Sequence, residues 1–318
     1  VYATDTSCGF TRWVEQTLAA TIVWGVYART CADIDAFASA CVGCDDPRRT
    51  VGIALIDEPR DSDGPQYASW RCKGSRNLHT FLASQLLPAP SGDVPPSDRR
   101  FWPRTRALLR QMTSLVPHAT WYVKADSDAM LHMTALRYSL LGDWPAWATR
   151  APDYIGKPIS LFEYKGEPLA YMQGGTYVLS RDAADAVGGC MLGSWRHCPS
   201  AAFRDVSSAA GDRRIHASCD APQTNAEDLY VGVCVQREAN LSRKLLPFSQ
   251  PCVLTLGRGT VQHHRLLGLH PRAHQATVSE RLARVARGRC ACPISVHPLK
   301  GSEQWQAARN VSLSMGCA

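Results

Sequence analysis

The sequence predicts an α/β fold: a mainly parallel central sheet covered by helices. Three observations carry that expectation. Short β-branched and aromatic runs at Thr50–Ile56, Thr120–Lys124 and Thr176–Leu179 alternate with segments of helical spacing. The first of these is apolar at nearly every position, as in a strand buried on both faces. Finally, 318 residues at 45% hydrophobic and 20% charged suit one large soluble domain and exclude a disordered or fibrous chain.

Taken in order, the longest apolar stretch is Leu18–Ala28. Its eleven residues fall short of the roughly 20 that a membrane-spanning helix needs. Thr50–Ile56 (TVGIALI) runs into Asp57-Glu58 and reads as a buried strand. Glu58–Gln66 and Pro88–Arg100 are rich in Pro, Gly, Asp and Ser, which favour turns, and read as surface loops. Asn77–Leu87, between them, is expected to be a short helix. Arg104–Val116 carries Leu108, Met112 and Leu115 at helical spacing and precedes the strand Thr120–Lys124. Met133, Leu136 and Leu140 predict a further helix that stops at Gly142. Strand signals return at Tyr154-Ile155 and Thr176–Leu179, and Ser180 is placed to cap a helix beginning at Arg181-Asp182. From about Pro247 the pattern is less regular.

The net charge of +7 is spread along the chain, without a dense basic stripe or a nucleic-acid reading module, so no nucleic-acid partner is expected. Thirteen cysteines and two N-x-[ST] sequons, at Asn240 and Asn310, point to an oxidising secretory compartment. Zinc is the rival reading, because Cys41-x-x-Cys44 and Cys290-x-Cys292 are close pairs. Cys41 and Cys44 have no second pair at ribbon spacing, which favours disulfides. The odd count leaves at least one cysteine outside any internal pairing.

Chemistry concentrates in three segments. Trp121–Asp128 (WYVKADSD) is an apolar strand running directly into two carboxylates one residue apart. Ligands of open α/β sheets bind at such strand ends. Two close acids there fit a divalent cation bridging a diphosphate, or else a solvated turn or helix cap. Tyr171–Ser180 (YMQGGTYVLS) sets paired glycines before a strand, either for close approach to a ligand or as a tight turn. Asn225–Gly232 (NAEDLYVG) opens a helix on two acids, as a cap or as a general base facing a cleft.

In this order, KADSD (Lys124–Asp128), YMQGGTYVLS and EDLYVG (Glu227–Gly232) resemble the inverting β1,3-glycosyltransferases of family 31. The likeness is greatest to the core 1 β1,3-galactosyltransferases and Fringe-type enzymes. The family's W-x-K-T-x-x-A helix resembles Trp102–Ala107, and its E-H-H-L-I-K-G-Y-L-P-R segment resembles Gln262–Arg272. A late cysteine pair with S-F-H resembles Cys290-Ala291-Cys292 followed by Ile294–His297. The likeness spans roughly residues 100 to 300. The first hundred match loosely, around Trp24 and Arg29-Thr30-Cys31. Ser127 replaces the family's middle Asp, and the glycine segment is one residue shorter.

The resemblance implies a single GT-A-like, Rossmann-type catalytic domain over 1–318. Residues 1–128 would form the nucleotide-binding half and 129–318 the acceptor-binding half. It implies Mn²⁺ held by Asp126, Asp128 and His297, with Ser127, Trp102 and Arg104 on the donor side. Asp228 would be the catalytic base, and Glu227, Gly174, Gly175 and Tyr177 would line the substrate. His263 and His264 stay ambiguous between the site and an ordinary surface loop. Cys219 and Cys234 bracket the acidic motif as a family disulfide does. The implied activity is metal-dependent, inverting transfer of a hexose, galactose favoured, from a UDP-sugar to a glycan or glycoprotein in β1,3-type linkage. A non-catalytic carbohydrate-binding or chaperone-like relative is the alternative. The implied location is the Golgi or ER lumen, as the soluble lumenal part of a type II membrane protein whose anchor lies outside this chain.

Overall fold

The computed structural model describes residues 21–46, 48–56, 72, 78–86, 102–142, 154–164, 167–190, 203–205, 227–235, 245–247, 253–255, 295–297, 305–306 and 308–310. The strands are β1 (Ile22–Ala28), β2 (Thr50–Ile56), β3 (Leu78–Leu82), β4 (Trp121–Asp126), β5 (Met130–Leu131), β6 (Tyr154–Tyr164), β7 (Glu167–Ser180), β8 (Phe203–Asp205), β9 (Leu245–Pro247), β10 (Val253–Thr255) and β11 (Ser295–His297). The helices are α1 (Cys31–Ala40), α2 (Ala83–Leu86), α3 (Trp102–Leu115), α4 (Met133–Gly142), α5 (Arg181–Gly189) and α6 (Glu227–Val233).

Strands β3-β2-β1-β4 form a parallel half-sheet in that order. Beyond β4 the sheet turns antiparallel through β7, β6 and β8, while β9 adds parallel to the start of β6. A small second sheet, β10-β11-β5, stands apart from it.

Strand alternation divides the core between the two faces of the large sheet. On one face Trp24, Val26, Ala54, Val123 and Ala125 pack with Ile34 and Phe37 of α1 and Met133 and Leu136 of α4. On the other, Val23, Ile53, Leu55, Tyr122 and Leu179 meet Leu108, Leu109 and Met112 of α3 and Ala183, Ala184 and Val187 of α5. The sheet is therefore covered on both sides, as a parallel half-sheet requires.

Local signals fix the helix starts. A capping box starts α1: the Asp33 amide donates to Thr30 Oγ1 at 3.3 Å and the Thr30 amide to Asp33 Oδ2 at 3.1 Å. Ser180 caps α5, accepting from the Ala183 amide at 3.3 Å as the sequence predicts. His132, fully buried, plays the same part for α4, its Nδ1 accepting from the Ala135 amide at 3.1 Å.

Three expectations are corrected. Asn77–Leu87 is not a helix throughout: Leu78–Leu82 is strand β3, paired to β2, and only Ala83–Leu86 turns helical. Pairing against the open edge of β2 outweighs the weak local helical pattern. The glycines of YMQGGTYVLS lie inside β7 rather than before a strand, because the hairpin with β6 begins at Glu167. Cys234 is bonded to Cys190, not Cys219, which lies outside the described residues. Cys41 and Cys44 are bonded to each other and Cys31 to Cys72, so the Cys41-x-x-Cys44 pair is not a zinc half-site. The loops Glu58–Gln66 and Pro88–Arg100, the sequon at Asn240, Cys290, Cys292 and the segment with His263 and His264 also fall outside the described residues.

Among the described residues no helix is long and apolar enough to cross a membrane. The disulfides mark a chain that folds in an oxidising, secretory or extracellular setting.

Gly52 pairs in register with Trp24, and the fully buried indole lies across it: an added Cβ would sit 2.2 Å from the ring. The rigid ring has no room to yield. Gly52→Ala is expected to lower stability by about 1–3 kcal/mol, read from urea unfolding midpoints.

Candidate metal and acid–base site

The site grows from the C-terminal end of β4. Alternation places Tyr122, Lys124 and Asp126 on the face covered by α3, and Asp128 follows in the turn beyond. Lys124, only 3% exposed, lies inside the protein. Its ammonium donates to Asp126 Oδ1 at 2.5 Å and to the Gly174 carbonyl at 3.0 Å, and it pairs with Glu227. Burial alone would lower the Lys124 pKa, but Asp126 and Glu227 raise it, so the group stays charged.

Glu227 opens α6 and is itself buried. It also accepts a hydrogen bond from the Thr105 hydroxyl of α3, which ties the acidic helix to the helix ahead of β4. The Cys190–Cys234 disulfide fastens the other end of α6 to the end of α5. Asp228, the next residue, accepts from the Gly174 amide at 3.1 Å through Oδ2. A continuous polar chain thus runs Asp126–Lys124–Gly174–Asp228. Burial, and then the neighbouring Glu227 charge, push the Asp228 carboxyl up to about 7. A carboxylate so poised suits proton abstraction near neutral pH.

The third element is β11. It pairs antiparallel with β5, immediately after the Asp126–Asp128 turn, and carries His297 to the two acids. His297 Nε2 lies 3.3 Å from Asp126 Oδ2 and 3.1 Å from Asp128 Oδ1. One ligand atom from each of the three side chains lies within 4.8 Å of the others. All three are partly exposed, so the cluster opens to solvent.

The donor set fits a hard-to-borderline divalent cation. The imidazole nitrogen stands 3.3 and 3.1 Å from the two carboxylate oxygens, close to the spacing of adjacent donors on an octahedral ion with bonds of ~2.1 Å. Asp126 has one oxygen committed to Lys124 and the other turned to His297, as single-oxygen ligation requires. Burial alone would lower the His297 pKa, but the hydrogen bonds it donates to Asp126 and Asp128 push it up to about 9, so a proton balances the acids where a cation would. The Asp126 carboxyl, raised by burial, is drawn below the ordinary carboxylate range by Lys124 and then His297.

The remaining sequence-predicted residues divide by position. Gly174 and Gly175 sit on β7 beneath Asp228 and His297: a Cβ on Gly175 would come within 2.7 Å of the imidazole, and one on Gly174 within 3.4 Å of Asp228 Oδ2. Arg104 stacks over the Tyr27 ring at 4.6 Å, and Tyr27 is the register partner of Asp126 on β1. Trp102 is nearly buried and stacks on Tyr230 of α6 with ring centroids 5.4 Å apart. Ser127 lies in the turn between the two acids and is partly exposed. Tyr177 is fully buried, edge-on to Tyr154, with its ring centroid 5.6 Å from the Lys124 ammonium.

Sequence reasoning assigned no role to Lys124 or Thr105. The signal was present for the lysine: a cation in an otherwise apolar strand must find buried anions.

No protein-family model matches the sequence. Among solved structures the chain is similar to glucosyl-3-phosphoglycerate synthase from Mycobacterium tuberculosis in complex with Mn²⁺, UDP and phosphoglyceric acid. The identity is 18%, covering 55% of this chain and 60% of that one, with a TM-score of 0.31. It is also similar to an active-site mutant of LgtC, at 12% identity over 92% of this chain and 95% of that one, TM-score 0.42. The chain thus spans about 60% of the length of the synthase.

Removing one partner of a buried ion pair leaves the other charge stranded. Lys124→Met should therefore destabilise the fold by about 3–5 kcal/mol, measured by chemical denaturation. Adding Glu227→Gln should restore part of that loss by removing a stranded carboxylate.

Proposed function

We propose that this protein is a metal-dependent, inverting glycosyltransferase, a remote member of family 31 with a GT-A-like catalytic domain. It would move a hexose, galactose favoured, from a UDP-sugar to a glycan or glycoprotein hydroxyl in β1,3-type linkage. One observation carries this reading. Asp126, Asp128 and His297 converge on one point, while Asp228, its carboxyl raised to about 7, is joined to Asp126 through Lys124 and Gly174. The order of the KADSD, YMQGGTYVLS and EDLYVG segments supports the same assignment.

In this reading Asp126, Asp128 and His297 hold a divalent cation, Mn²⁺ by the mixture of carboxylate and imidazole donors. When bound, that ion supplies electrostatic stabilisation of the charge that builds on departing UDP. Arg104, Ser127 and Trp102 flank the donor, and Gly174 and Gly175 line the sugar from beneath Asp228 and His297, whose side chains occupy the space these glycines leave. The Asp228 carboxylate takes the proton of the acceptor hydroxyl. The acceptor oxygen bonds to the anomeric carbon as the bond from that carbon to the diphosphate oxygen breaks, and UDP leaves with the electron pair. Attack opposite the leaving group inverts an α-linked donor to a β-linked product. Glu227 is the supporting charge that keeps Asp228 basic. This reading keeps the division at about residue 128, with donor groups on α3 and at the end of β4 and the base beyond. The disulfides suit residence in the Golgi or ER lumen.

Incubation with a panel of UDP-sugars and Mn²⁺ should release UDP. Asp228→Asn should reduce that release by at least about 100-fold, the lower range of general-base contributions. UDP release that persists in the variant would remove the base assignment. Because the raised Asp228 group must be ionised to accept a proton, kcat/KM should fall about tenfold per pH unit below 7 and level off above it. A flat profile between pH 5 and 7 would contradict that role.

A further inference from the structure

Ser295 and His297 stand one residue apart on β11, so their side chains leave the same face of the strand. That face meets β7 at two consecutive residues. His297 lies over Gly175, where only a missing side chain leaves room for the ring. Ser295 Oγ lies 2.7 Å from Thr176 Oγ1. Both hydroxyl-bearing residues are buried, Ser295 to 1% and Thr176 to 3% exposure.

The hydrogens of this pair can be ordered. Thr176 donates its one proton to the Gly175 carbonyl at 2.6 Å. Ser295 must then be the donor to Thr176. Buried hydroxyls are unfavourable unless paired, so the Ser295 hydroxyl depends on the acceptor that Thr176 holds in place. No backbone ladder joins β11 to β7: the described pairing of β11 is with β10 and β5, in the small sheet. The hydroxyl pair therefore bridges the two sheets beside the point where His297 enters the cluster.

We propose that Ser295 and Thr176 are positioning residues for His297. Their contact sets the depth and lateral placement of β11 against β7, and so presents Nε2 to the point shared with Asp126 and Asp128. This inference rests on the metal-binding reading of that cluster. Gly175 is the complementary half of the device, the space the imidazole occupies once the hydroxyls are joined.

The test is direct Mn²⁺ binding by calorimetry, with thermal unfolding of each protein to verify folding. The variants are Ser295→Ala, Thr176→Val, His297→Ala, and each hydroxyl variant combined with His297→Ala. Each single hydroxyl variant should bind Mn²⁺ about tenfold more weakly, as loss of groups supporting a metal ligand does. In the His297→Ala background the same changes should have no further effect, because the ligand they position is gone. Equal losses in both backgrounds, or no loss in the single variants, would overturn the positioning role while leaving the three-ligand site standing. A wild-type protein that takes up no Mn²⁺, or His297→Ala binding as tightly as wild type, would instead remove the metal reading and this inference with it. Should Ser295→Ala fail to fold, the Thr176→Val pair, which keeps the side chain's shape, carries the same comparison.

Discussion

A lysine ammonium enclosed in the sheet is the constraint around which this molecule is arranged. Lys124 sits where an apolar side chain would be ordinary, and a charge there must be answered by anions and carbonyl oxygens or the strand could not be buried. Asp126 answers from the same strand, Glu227 from α6 and the Gly174 carbonyl from β7. Three segments far apart in sequence are thereby drawn to one atom. The docking of α6 follows, reinforced by Thr105 and by the Cys190–Cys234 bond. Asp228 is carried along with it.

The same enclosure separates the behaviour of the acids. Asp126 feels the ammonium and the imidazole directly and is held ionised. Asp228, one backbone hydrogen bond removed from Lys124 and beside Glu227, is left much less acidic. Two groups of one residue type thus acquire opposite habits from their surroundings, one a standing negative charge and the other titrating at about 7. The division needs only the depth of the site and the placement of a single cation.

Much of this was legible from residue order, and the exceptions have physical causes. Strand β2 announced itself because it is apolar at nearly every position, β4 because it is rich in β-branched and aromatic residues, and α3 because Leu108 and Met112 recur at helical spacing. Ser180 was readable as a cap because capping chemistry is local. Strand β3 was not: Leu78–Leu82 runs straight into a short helix, and pairing with β2, which no local pattern encodes, decides the matter. The glycine pair looked like a turn because its cause, an imidazole arriving from β11, lies more than a hundred residues away. The partner of Cys234 was equally hidden, since bonding depends on where α5 and α6 end in space.

The cluster of Asp126, Asp128 and His297 is completed by β11, a strand far along the sequence from the two acids. Two of its three donors emerge on the ribosome early, and the imidazole arrives only after the sheet, the acidic helix and β10 have been synthesised. A polypeptide interrupted before β11 would carry the paired acids without their third donor. The geometry of the cluster therefore depends on how β11 docks against β5 and β7, and not on the acidic turn alone.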